Sequence, residues 1–84
     1  MFDCLFICQS VTYAQRVKKL LERAGIESRI VRPNLQLTDG ECGYAVRLSN
    51  VFLAEALEEL KHKRLLPQKV MVADGNGRFR EMMF

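Results

Sequence analysis

Residues 3–9, Asp3-Cys4-Leu5-Phe6-Ile7-Cys8-Gln9, are apolar at odd and even positions alike. Both faces of such a strand want cover, which places it inside a sheet with a neighbour on each side rather than at an edge. The chain that follows must supply those neighbours. Ser10 is suited to cap a helix, its hydroxyl accepting from a free amide two or three residues on, and Ala14, Val17, Leu20, Leu21 and Ala24 follow at three- and four-residue spacing. Arg16, Lys18, Lys19, Glu22 and Arg23 fall on the opposite side. Gly25 stands where a left-handed C-terminal cap is wanted, and the chain restarts from Ile26 to Arg32 as a second strand, stopped by Pro33.

From Asn34 to Gly43 turn formers predominate, with Leu35 and Leu37 as the apolar exceptions, so the segment reads as one long loop. Tyr44-Ala45-Val46-Arg47-Leu48 alternates as a third strand, after which Ser49 or Asn50 caps a helix that turns Leu53, Ala56, Leu57 and Leu60 inward. Glu55, Glu58 and Glu59 precede Lys61, His62, Lys63 and Arg64, the order that a helix dipole favours. After Pro67, Lys69 to Ala73 is a fourth strand, and Asp74-Gly75-Asn76-Gly77 is a turn before Arg78 to Phe84, a tail able to pair back as a fifth strand. The order β, α, β, β, α, β predicts an α+β protein, a ferredoxin-like two-layer sandwich with an antiparallel sheet of order 4-1-3-2 and both helices on one face. The opposite face then carries no helix. Phe2, Phe6, Met71, Met82, Met83 and Phe84 are available to cover it against a second copy of the chain, which makes a homodimer an expectation.

Eighty-four residues make one domain, taken as 1–84, and 49% hydrophobic with 27% charged residues excludes a disordered or low-complexity chain. Thirteen Lys and Arg against ten Asp and Glu leave a net charge of +3, too small an excess to indicate nucleic acid as the partner. No apolar run reaches the ~18 residues of a membrane span, and no signal-peptide pattern is present. The expected compartment is the cytoplasm, where the three cysteines stay reduced.

The cysteines sort by geometry. Cys4 and Cys8 are separated on one strand by ~13 Å, too far to bridge or to share a metal ion, and they read as core residues. His62 does not supply a metal site, and no metal or cofactor is expected. Cys42 differs, because it lies between Gly40 and Gly43 with no apolar periodicity to bury it. In the expected topology the third strand starts at the sheet end where the first strand finishes and the first helix opens. Cys42 then faces the free amides of about Val11 to Tyr13 and the positive end of the helix dipole, which together lower a thiol pKa by ~1 unit or more. Gly43 beside it allows close approach of the backbone. Asp39 and Glu41 oppose the thiolate, so a loop cysteine without a role stands as the other reading. Cys8 is a candidate resolving thiol or an ordinary core residue. Arg47 is a candidate anion-binding guanidinium or one half of a surface salt bridge.

Other signals are weaker. Lys61 to Arg64 reads as a solvated helix end, and Asp74 to Gly77 lacks the later acidic ligand of a calcium loop. No phosphate-loop, dinucleotide, Ser-His-Asp or zinc-hydrolase motif occurs, so a conventional enzyme has nothing to run on.

Cys4-Leu5-Phe6, Ser10, Lys19-Leu20-Leu21 with Ala24-Gly25-Ile26, Pro33, and above all Cys42-Gly43-x-Ala45-x-Arg47 resemble the small bacterial domains of the putative selenium/sulfur carrier-like family, over roughly residues 4 to 60. The resemblance implies that Cys42 is the attachment point, that Gly43 is its neighbour, and that the partners are sulfur or selenium donor and acceptor proteins. Gly43, Ser10 and Arg47 are the binding residues set beside Cys42. Cargo would then travel as a persulfide on Cys42. The alternative function is a noncatalytic regulatory or binding module for a small metabolite, a partner protein or RNA. Cys42→Ser would abolish a carrier and spare such a module, whereas reversing Arg16, Lys19 and Arg47 would impair the module.

Overall fold

The computed structural model describes residues 4–32, 43–75 and 78–82. The stretch that is apolar on both sides forms β1 (Cys4–Cys8), and every residue of it is buried. Ser10 caps α1 (Val11–Arg23) by accepting a hydrogen bond from the Tyr13 N–H at 3.2 Å. The helix closes through Gly25 at a φ of 80°, with the Gly25 N–H donating to the Glu22 carbonyl and the Ile26 N–H to the Leu21 carbonyl. Ile26 is thereby spent on the helix end, and β2 (Ser28–Val31) is shorter than the spacing predicts. After β3 (Tyr44–Leu48), Ser49 accepts from the Val51 N–H and caps a 3-10 turn, Asn50–Phe52, which runs into α2 (Leu53–His62). The chain finishes with β4 (Lys69–Ala73) and β5 (Phe79–Met82), joined through a turn in which the Asp74 N–H donates to the Arg78 carbonyl.

All five strands form one antiparallel sheet in the order β2-β3-β1-β4-β5. Read from its other edge the sheet runs β5-β4-β1-β3-β2, five strands where the expected order 4-1-3-2 has four. The tail joins the outer edge of β4, with Val70 opposite Met82 and Ala73 opposite Phe79, so β4 is not left with a row of unpaired backbone groups. The central place of β1 is realised: Phe6 lies between Val46 on one side and Val70 on the other.

Alternation along the strands sorts the side chains onto two faces. Cys4, Phe6, Cys8, Val46, Leu48 and Val70 meet Ala14, Val17 and Leu21 of α1 and Ala56 and Leu60 of α2 in the main core. Leu5, Ile7, Ala45 and Met71 form a second cluster on the other face, with Val31 and Phe79 against it. The expectation for a second copy changes accordingly. Phe6 is in the main core and Met82 packs against it, so neither covers the face away from α1 and α2, while Phe2, Met83 and Phe84 lie outside the described residues. Leu5, Ile7, Ala45 and Met71 are at most 8% exposed in the single chain, so their burial does not require a dimer. Among the described residues no helix is long and apolar enough to cross a membrane.

Candidate functional site

Cys42 and the segment 33–42 lie outside the described residues, and the nearest described residues in sequence are Arg32 and Gly43. Cys8, the last residue of β1, is paired with Tyr44, the first of β3. Gly43 is therefore pressed against the end of β1: a Cβ built on it would stand 2.8 Å from the Cys8 carbonyl oxygen, closer than real side chains come. Here the glycine is needed for close approach rather than for a turn. Two residues beyond Cys8, Ser10 caps α1, and Val11 is 39% exposed at the helix start. The end of β1, the start of β3 and the opening of α1 thus meet at one corner of the molecule, as the sequence predicts.

The remaining expected residues fall in different places. Cys4 and Cys8 are both buried, and neither is in a disulfide. Burial pushes the Cys8 thiol up to about 12, and its Sγ donates to the Phe6 carbonyl at 3.5 Å, so it is protonated near neutrality. Arg47 lies opposite Leu5 and Arg29, four residues along β3 from Gly43, a backbone distance of ~13 Å. The fold does not bring its backbone to the corner.

A cation that sequence reasoning missed does stand there. The Arg32 guanidinium carbon lies 5.5 Å from the centre of the Tyr44 ring, a cation–π contact between two residues that flank the 33–42 segment. In sequence Arg32 is only the end of a strand. Its partner is set by the pairing of Val31 with Ala45, a register that no local pattern reveals. On the other side of β1 the Gln68 N–H donates to the Ile7 carbonyl at 2.9 Å, and the Tyr13 hydroxyl donates to the Leu66 carbonyl at 2.6 Å. Gln9, Tyr13, Leu66, Pro67 and Gln68 line a small cleft of about 210 Å³ at this end of the sheet. Burial first, and the neighbouring Cys8 second, raise the Tyr13 pKa, which keeps the hydroxyl a donor. Among the described residues no group of three or more His, Cys, Asp or Glu side chains could hold a metal ion.

The fold and this corner define a small α+β sheet domain with a Cys-Gly pair in its sequence, the glycine of which is fixed where a helix opens. A sequence profile of the family described as "Putative Se/S carrier protein-like" matches residues 3–72, more than four-fifths of the chain. The chain belongs to that family. No curated protein and no solved structure compared with it gives a match.

Proposed function

We propose that the chain is a thiol carrier that receives sulfur or selenium on Cys42 and passes it to an acceptor protein. The Cys42 thiolate attacks the terminal sulfur of a donor persulfide. A new S–S bond forms at Cys42 as the donor's S–S bond breaks, and the donor leaves as its thiolate. The transferred sulfur arrives with its own proton, and no oxidant or metal is consumed. Return of the sulfur to an acceptor thiolate is the same exchange in the opposite sense.

Family membership supports this reading, and one geometric observation carries it: Gly43 is held against the Cys8 carbonyl, two residues from the capped start of α1. Helix amides and a positive dipole end lower thiol pKa values, and on this reading they act on Cys42. Arg32 adds a fixed cation at the base of the same segment. Cys8 would serve as a resolving thiol only if the corner opened, because it is buried and protonated. The two-helix, five-strand architecture is compatible with a ferredoxin-like arrangement carrying an added edge strand.

Incubation with a cysteine desulfurase and cysteine tests the reading. Intact mass spectrometry should show one added sulfur atom on the native chain and none on Cys42→Ser. The alkylation rate of Cys42 against pH should give a midpoint below the ~8.5 of a free thiol. A chain left unmodified while a known carrier is loaded in parallel would overturn the proposal.

A further inference from the structure

A concentration of exposed positive charge that the carrier reading does not use lies along α1. Arg16, Lys19 and Arg23 of α1 face Lys63, just past the end of α2, across a groove of about 400 Å³ floored by Leu20 and Leu65. The three α1 cations are spaced three and four residues apart, so they form one row ~10 Å long. No carboxylate lines the groove, and the acid of α1, Glu22, is paired with Lys18. Among the described residues no ion pair neutralises the four cations. The wall on the α2 side is held in place. The Tyr13 hydroxyl anchors the Leu66 carbonyl, and the Leu65 N–H donates to the Leu60 carbonyl at 2.8 Å. Between Lys63 and Leu65, Arg64 sits in the left-handed region at a φ of 55°, a conformation that costs a non-glycine residue energy.

We propose that this groove docks an acidic amphipathic segment of the protein that donates sulfur or selenium to Cys42, a proposal that rests on the carrier reading. A row of cations at helical spacing complements carboxylates at the same spacing on a partner helix. The two leucines between the cations take the partner's apolar side chains. A phosphate or a nucleic-acid strand would leave Leu20 and Leu65 unmatched and would find no aromatic side chain in the groove on which to stack a base. Because α1 begins at the corner beside Gly43, a partner laid along it extends toward the residue that follows Cys42 in sequence.

The test separates docking from chemistry. The triple variant Arg16→Glu, Lys19→Glu, Arg23→Glu, with its fold checked by circular dichroism, is loaded in one series by a cysteine desulfurase and in another by inorganic polysulfide. Loading by the enzyme should fall at least about ten-fold and that by polysulfide should be unchanged; Lys63→Glu should act in the same direction. Equal loading of variant and native chain by the enzyme overturns the docking proposal and leaves the carrier intact, whereas a native chain loaded by neither donor overturns the carrier reading. In a binding assay free of any sulfur chemistry, a short helical peptide of alternating Glu and Leu faces should bind the native chain and lose about ten-fold in the triple variant. Tighter binding of an oligouridine RNA, or equal peptide binding by both chains, overturns the assignment of the groove to an acidic segment.

Discussion

Gly43 is the described residue that most constrains the corner. The Cys8 carbonyl oxygen at 2.8 Å from a built Cβ is backbone, and it cannot swing aside as the tip of a long side chain could. Gly43→Ala must therefore separate the ends of β1 and β3, an overpacking that costs about 1–3 kcal/mol. Urea unfolding should show that loss, and a variant as stable as the native chain would mean that the contact relaxes freely. Cys8 gives a pH signature. Burial raises its thiol from 9.0 to about 12, so above pH 9 the folded chain keeps a proton that the unfolded chain has released. Its contribution is whole below pH 9 and is lost as the pH rises toward 12. Urea midpoints should fall over that window, and fall less in Cys8→Ala. Parallel declines in the two proteins would place the alkaline loss elsewhere.

The helices show one closing device filled by two different residues. At the end of α1 the Ile26 N–H donates to the Leu21 carbonyl at 2.8 Å, and at the end of α2 the Leu65 N–H makes the same six-residue closure to Leu60 at 2.8 Å. The left-handed residue is Gly25 in the first case and Arg64 in the second. An L-residue with a side chain loses ~1–2 kcal/mol in that region, so Arg64→Gly should stabilise the chain by about 1 kcal/mol, or roughly 4–8 °C in Tm. A calorimetric scan with an unchanged or lower Tm would show that the Arg64 side chain makes compensating contacts. The cost of keeping arginine there falls on the element that forms one wall of the basic groove.

The whole molecule is a two-layer structure in which one sheet buries apolar side chains on both sides. The strand that completes it lies outside the family match: the match ends at residue 72 and β5 spans Phe79–Met82. β5 sends Phe79 to the second cluster and Met82 to the main core, and it pairs with the outer edge of β4. Deleting residues 78–84 should therefore expose a strand edge and part of Met71, and on size exclusion the shortened chain should move to larger species or precipitate. An unchanged elution volume would show that β4 tolerates an open edge.

Much of the fold is legible in the chain, and for a stated reason. The burial of β1, the Ser10 cap, the Gly25 closure and the turn at Asp74 and Gly75 all depend on residues within a few positions of one another, where sterics and hydrogen-bonding capacity act without reference to the rest of the chain. The corner is legible only in outline. That the end of β1, the start of β3 and the opening of α1 coincide follows from element order, but the Gly43–Cys8 contact and the pairing of Arg32 with Tyr44 come from strand register. The burial of Leu5 and Ala45 on the face away from α1 and α2 and the meeting of Lys63 with the α1 cations were likewise decided in three dimensions. Each depends on segments far apart in sequence, and their relative placement is fixed by packing and ladder hydrogen bonds that no local pattern encodes.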